Sequence, residues 1–173
     1  GAPFNVAWNL AALGADPLLI SRVGTDDEGL SVRNAMRIRG LDDSGLQNGP
    51  GEYTGQVRVT IERGEPAYDI VHPVAWDAIA PLPEPPRCRL LYHGSLALRD
   101  ARSRRALEML REAGPRTVFV DVNLREPWWD RDTVLRLLDG AHWVKCNERD
   151  LVDLAPAAGD PEPRRGRRCA RSR

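Results

Sequence analysis

The sequence predicts an α/β protein: a parallel sheet covered by helices, with a small antiparallel hairpin inserted into it. Three observations predict this. Between residues 88 and 154, short apolar runs of strand type alternate with amphipathic runs of helical period, the pattern of a parallel sheet with right-handed crossovers. Between residues 56 and 72 the apolar period changes to two and the run turns back on itself. Polar residues gather where the predicted parallel strands end, which is where ligands sit in such sheets.

The elements follow in order. In "GAPFNVAWNLAALG", Pro3 suits a first helical turn because its missing N–H would go unbonded there anyway. Phe4, Val6, Ala7, Leu10, Ala11 and Leu13 then form an apolar face, and Gly14 is a left-handed stop. "PLLISRVG" reads as a short strand. "TDDEGLSVRNAMRIRG" reads as a helix capped by Thr25 or Asp26, with acids in its first turn and Gly40 past its end. In "GQVRVTIERGEPAYDIVH", Val57, Val59 and Ile61 alternate with Arg58, Thr60 and Glu62, and the chain turns at Arg63-Gly64-Glu65. A proline-rich link, "APLPEPPR", leads to the strand "CRLLYHGS". The helix "DARSRRALEMLREAG", the strand "TVFVDVN", the helix "DTVLRLLDG", the strand "AHWVKC" and a helix start at "NERDLVDL" complete the series.

Composition narrows the function classes. The 173 residues suit one domain with a small appendage, and 42% hydrophobic with 29% charged residues is the balance of a water-soluble globular chain. A formal net charge of zero argues against nucleic acid as the main partner and gives no steering toward acidic membranes. No apolar run approaches the ~20 residues of a spanning helix, and no signal-peptide pattern is visible. Cys88, Cys146 and Cys169 are scattered and not at metal-ligand spacing, so a reducing, cytoplasmic setting is expected. All but one of the 25 basic residues are arginine, Lys145 being the exception, a bias of GC-rich coding sequence.

The polar positions carry the chemistry. At the first helix, a glycine turn admits close approach to the backbone, and Asn5 offers both an acceptor and a donor, the mix needed to read hydroxyls. An Asn that satisfies a local turn is the structural alternative. At the strand ends stand Gly94-Ser95, Asp121-Asn123-Arg125 and Asn147-Glu148. Asp26 and Asp27 read as capping and loop-fixing acids, His93 as a packing residue, and Trp76, Trp128, Trp129 and Trp143 as core or interface aromatics, one of which could floor a sugar ring.

Taken together, these stretches resemble the ribokinase-like carbohydrate kinases, or PfkB family, and within it the fructokinase-like members. "GAPFNVAWNLAALG" looks like the family's first signature, whose leading glycine would lie before residue 1. "VGTDDEG" looks like its Gly-x-Asp-x-x-Gly step, and the hairpin with "PVAWD" resembles its lid and return segment. "DVNLREPWW" and "VKCNERDL" resemble its Asp-x-Asn-x-Arg and Asn-x-x-Glu motifs. Five weak motifs in the family's order make a strong resemblance. It implies a ribokinase-like parallel-sheet sandwich over residues 1–154, with a β-hairpin lid at about residues 53–73.

The resemblance further implies ATP-dependent phosphorylation of a sugar hydroxyl, with ATP and Mg2+ as cofactors and a small-molecule sugar as partner. Gly1, Asn5, Ser95 and Arg125 would contact the sugar. Asn123, Asn147 and Asp150 would face the nucleotide, with no direct protein ligand to the metal. Nucleic acid and membrane are not expected partners, and a lid-mediated homodimer is. One departure stands out, since the family's Glu in Asn-x-x-Glu is here the shorter Asp150.

The family's general base is the Asp of a Gly-Ala-Gly-Asp segment, absent from these residues. "APAAGDPEP" offers only Asp160, without a preceding strand or a following apolar helix face. No catalytic residue is therefore assigned, and the fold is expected to be incomplete, lacking the C-terminal nucleotide-binding part. The Arg- and Pro-rich residues 155–173 have no periodicity and are expected to be disordered, with the composition of a shifted reading frame. A non-catalytic sugar-binding remnant or a non-functional fragment is the alternative to the kinase.

Overall fold

A computed structural model describes residues 1–62, 65–155 and 168–171. The chain divides into two compact units, Gly1–Ala80 and Pro81–Arg173.

The first unit opens with α1 (Ala2–Ala12), β1 (Ser21–Gly24) and α2 (Asp27–Ile38). Asp26 is the cap of α2, accepting the Gly29 N–H at 2.9 Å. Gly14 and Gly40 follow the two helices with φ of +80° and +66°, as stops. A strand that the sequence reading did not foresee, β2 (Leu46–Gly49), pairs parallel with β1 in register Ser21↔Leu46. Its four residues, "LQNG", are too few and too polar to show a period. Ala7, Leu19, Val23, Met36, Leu41 and Leu46 are buried together, with Phe4 and Trp8 against them. The broad apolar face of α1 thus meets the parallel pair.

The expected hairpin is present as β3 (Val57–Glu62) and β4 (Glu65–Ile70), antiparallel in register Val57↔Ile70. Its expected turn at Arg63 and Gly64 lies outside the described residues. A 3₁₀ turn at Ala75–Ala78 closes the unit.

In the second unit, β5 (Leu90–Gly94), β6 (Thr117–Asp121) and β7 (Trp143–Cys146) form the expected parallel sheet, with α3 (Ala101–Glu112), α4 (Arg131–Leu138) and α5 (Glu148–Leu154) alternating between and after them. Alternate strand residues Val118, Val120, Val144 and Cys146 pack with Val134, Leu138 and Leu154 of the helices. Leu91 joins Leu98, Leu107 and Leu137 beside them. Each helix starts on a side-chain cap: Asp100, Asp130 and Asn147.

The tail departs from expectation at one place. Residues 155–173 read as disordered, yet Arg168–Arg171 forms a strand, β8, parallel to β7 in register Trp143↔Arg168. The edge of β7 offers backbone donors and acceptors to any extended segment, whatever its side chains, so composition does not forecast such a pairing. The rest of the expected disordered segment, residues 156–167 and 172–173, lies outside the described residues.

Candidate functional site

In the second unit, parallel pairing in register Gly94↔Asp121 brings the ends of β5 and β6 side by side, and Ser95 and Asn123 follow directly. The Asn123 N–H donates to Ser95 Oγ at 3.3 Å, and the Ser95 hydroxyl donates to the Asn123 carbonyl at 3.4 Å. Ser95 is buried. Arg125, two residues on, donates from Nη1 to the Leu124 carbonyl at 3.0 Å. Ser95, Asn123 and Arg125 line one open cavity of about 330 Å3. Three polar residues from two predicted strand ends therefore meet in one place.

The same cavity is lined by residues that the sequence reading did not assign to a site: Arg99, which precedes the predicted helix, Arg104, read as part of that helix, and Trp128, read as a core or interface aromatic with the option of flooring a sugar ring. The Arg99 guanidinium lies over the Trp128 ring, 4.6 Å from its centroid. Arg104 Nη1 donates to the carbonyls of Leu98 and Arg99 at 2.8 and 2.9 Å, fastening the 3₁₀ turn at Leu96–Arg99. The signal in the sequence was the density of arginine in "LRDARSRR", which GC-rich coding bias masks.

Asn147 and Asp150 do not line this cavity; they begin α5. The Asp150 N–H donates to Asn147 Oδ1 at 2.7 Å, and the Asn147 N–H to Asp150 Oδ2 at 3.4 Å. This is a reciprocal capping box, and Asp150 is only 3% exposed. The Asn-x-x-Asp spacing carries this structural role whatever else the pair does. Among the described residues no group of three or more His, Cys, Asp and Glu could hold a metal ion. Magnesium held mainly through phosphates and water needs no such group.

In the first unit, Gly1 caps α1, and its carbonyl accepts the Asn5 N–H at 3.1 Å. Asn5 is exposed, and its side chain makes no hydrogen bond among the described residues, so it does not serve a local turn. Trp76, half-buried, has its ring beside this entrance: a Cβ on Gly1 would come within 3.9 Å of it, and one on Gly55 within 2.7 Å. The helix start, the foot of the hairpin and the "PVAWD" segment thus converge on one indole.

The "VGTDDEG" step proves structural. Asp26 accepts the Thr54 N–H at 2.7 Å and the Thr54 hydroxyl at 2.5 Å besides capping α2. These bonds, the Thr54 hydroxyl first, hold its carboxyl below the usual carboxylate range. A Cβ on Gly24 would collide with the Glu52 carbonyl, and one on Gly29 with the Gly24 carbonyl. His93 is buried at the end of β5, as expected of a packing residue, with Nδ1–H donating to the Gly94 carbonyl at 2.9 Å.

No helix among the described residues is long and apolar enough to cross a membrane. Comparison with known proteins agrees with the motifs. The pfkB family carbohydrate kinase model matches residues 1–169. Fructokinase-1 of Oryza sativa subsp. japonica is 31% identical over 169 residues, which cover 89% of this chain and 52% of that protein. A fructokinase of Klebsiella pneumoniae is 32% identical over 168 residues, covering 90% and 54%. Among solved structures, the fructokinase of Vibrio cholerae O395 in its fructose, ADP and calcium ion bound form superposes with a TM-score of 0.74 at 27% identity, over 89% of this chain and 54% of that one. The chain spans about half the length of the relatives it matches. Matched over nearly its whole length by that family model, and carrying the family's motifs in order on a parallel α/β sheet, the chain belongs to the pfkB family of carbohydrate kinases.

Proposed function

We propose that this chain serves the ATP-dependent phosphorylation of a sugar hydroxyl, as a fructokinase-like carbohydrate kinase. The observation that carries the reading is the meeting of Ser95, Asn123 and Arg125 in one cavity at the carboxyl ends of β5 and β6. Gly1, Asn5, Ser95 and Arg125 bind the acceptor sugar. Hydroxyls need mixed donors and acceptors, which Asn5 and Ser95 supply. Asn123, Asn147 and Asp150 face the nucleotide side. A guanidinium such as Arg125 suits the junction of sugar and phosphate because its planar fork clamps an oxyanion.

ATP with Mg2+ supplies the phosphoryl group and its charge neutralisation. Asp150, a carboxylate without a guanidinium or ammonium partner among the described residues, fits a role at a metal-bound water. The hairpin β3–β4 closes over the bound sugar and excludes water. Its Val57, Val59 and Ile61 are 45%, 55% and 70% exposed, an apolar row suited to a second copy of the hairpin in a homodimer.

The Gly-Ala-Gly-Asp segment of the family's general base does not occur in the sequence. A second reading is sugar binding without transfer. Calorimetric titration with D-fructose, followed by a phosphoryl-transfer assay with ATP and Mg2+, tests both. Saturable fructose binding supports the common part of the two readings, and product formation decides for the kinase. Absence of binding to fructose and to other neutral or acidic sugars, by a folded chain, overturns both.

A further inference from the structure

Trp76 stands beside the start of α1, and the chain around it fixes where its ring lies. Its backbone belongs to the 3₁₀ turn Ala75–Ala78. The Ala75 N–H donates to the Tyr53 carbonyl at 2.8 Å, and the Val74 N–H to Asp77 Oδ2 at 3.0 Å. Val74, Ala75 and Asp77 are all buried. The six-membered ring of the indole rests on the backbone at the foot of the hairpin, where a Cβ on Gly55 would come within 2.7 Å of Cε3, 2.8 Å of Cζ3 and 2.9 Å of Cδ2. Any side chain at residue 55 would push the ring away, so glycine there is a condition of the indole's placement.

The start of α1 meets the same ring. A Cβ on Gly1 would stand 3.9 Å from Cζ3, an ordinary contact distance. Asn5, exposed and unengaged, lies one helical turn on from Gly1 and so on the same side of α1. Trp76 is half-buried and its Nε1 is buried, so the part of the side chain left exposed is carbon. An apolar ring and an amide able both to give and to accept hydrogen bonds thus flank Gly1.

A cyclic sugar has the matching pattern, with hydroxyls around its rim and C–H groups on a face. The negative face of an aromatic ring suits C–H groups polarised by neighbouring oxygens, while an amide reads the hydroxyls. An open-chain polyol has no such face and loses more rotational freedom on binding. From the juxtaposition of Trp76, Gly1 and Asn5, we infer that Trp76 is a specificity-determining residue of the sugar site, its indole a platform for the C–H face of a cyclic sugar, so that ring sugars are preferred to open-chain alditols of the same carbon number. The inference rests on the sugar-binding reading above and names the form of substrate that the same site takes. Gly55 is a positioning residue, acting only through the seat it gives the indole.

The test is calorimetric titration of the full chain with D-fructose, D-glucose and D-ribose, each beside its alditol: D-mannitol, D-sorbitol and ribitol. The ring sugar that binds most tightly is expected to exceed its alditol by at least about tenfold. Part of that preference comes from the stiffness of the ring and does not need Trp76, so the ratio in the variants decides. Trp76→Leu is expected to lower the ring-to-alditol ratio about fivefold or more, while Trp76→Phe, which keeps an aromatic face, retains most of it. Asn5→Ala is expected to weaken both ligands and leave the ratio nearly unchanged. Gly55→Ala is expected to lower the ratio as Trp76→Leu does. Circular dichroism checks that the variants fold. Intrinsic fluorescence gives a second readout that does not need the Leu variant: the change in emission when the sugar binds is expected to be largely lost in Trp76→Phe.

A ratio unchanged in a folded Trp76→Leu chain overturns the inference and leaves the sugar-binding reading standing. An emission change fully kept in Trp76→Phe does the same, as does an alditol that binds as tightly as its ring sugar. A folded chain that binds none of the sugars overturns the inference together with the reading beneath it.

Discussion

Lys145 and Asp121 form an ion pair of 2.6 Å directly across the β6–β7 register. Each stands two residues before a residue assigned to the nucleotide side, Asn147 and Asn123. Tyr92 on β5 donates its hydroxyl to the other oxygen of Asp121 at 2.8 Å, so one carboxylate spans three strands. Burial, then the bond to Asp121, pushes the Tyr92 phenol above its ordinary value, so it acts as a donor throughout the accessible pH range. The two partners of Asp121 differ in exposure: the Lys145 side chain is 42% exposed and that of Asp121 15%. Lys145→Met is therefore expected to cost less than about 1 kcal/mol, because solvent screens the pair. Asp121→Ala, which strands both partners, is expected to cost about 2 kcal/mol. Urea unfolding of the two variants checks the order, and equal costs would contradict it.

The Asp26 carboxylate joins the start of α2 to Thr54 through three bonds. Asp26→Ala is expected to destabilise by about 2 kcal/mol, the sum of a lost cap and a lost charge-assisted bond. Thr54→Val, which removes the hydroxyl that donates to Asp26 and accepts the buried Gly24 N–H at 2.9 Å, is expected to cost a similar amount. Thermal melts of both variants provide the check.

Gly29 packs against the Gly24 carbonyl so closely that a methyl group would collide with it. Gly29→Ala is expected to destabilise by about 1–3 kcal/mol despite alanine's better helix propensity, because the obstacle is backbone and cannot swing away. A stabilised variant in chemical denaturation would refute the packing account of this motif.

Burial pushes the pKa of His93 down to about 4, outweighing the favourable bond to the Gly94 carbonyl. The unfolded chain therefore takes up a proton near pH 6.5, while the folded chain resists until about pH 4. Stability falls as the pH drops through that window and is fully present above it, a contribution of order 3 kcal/mol. His93→Met is expected to flatten the pH dependence of the unfolding midpoint between pH 6.5 and 4. An unchanged slope would assign the acid sensitivity to other groups.

Asn5 stands exposed at the start of α1 with an unengaged side chain. Asn5→Ala is expected to leave folding stability nearly unchanged and to weaken sugar binding by roughly 1–2 kcal/mol, the scale of one hydrogen bond lost to a ligand. Unaltered affinity in calorimetry would remove Asn5 from the sugar contacts.

The sequence by itself determined the parts that depend on neighbours along the chain. Helix starts were legible because a capping acid or amide lies within three residues of the N–H it accepts, as at Asp26 and Asn147. Strands β5, β6 and β7 were legible from apolar runs alternating with helical periods, and the hairpin from its period of two. The meeting of Ser95 with Asn123 and Arg125 was legible at the level of strand ends, since parallel strands deliver their carboxyl ends to one edge.

Tertiary structure alone decided the rest. The four residues of β2 became a strand through pairing with β1, and Arg168–Arg171 through pairing with β7, because backbone hydrogen bonds at a sheet edge ignore side-chain pattern. The cavity brought together Arg99 from before α3, Arg104 from α3 and Trp128 from the loop after β6, whose sequence reading as a core or interface aromatic left its partners open. Charge in a pocket is a sum over residues distant in sequence, and no local period encodes that sum.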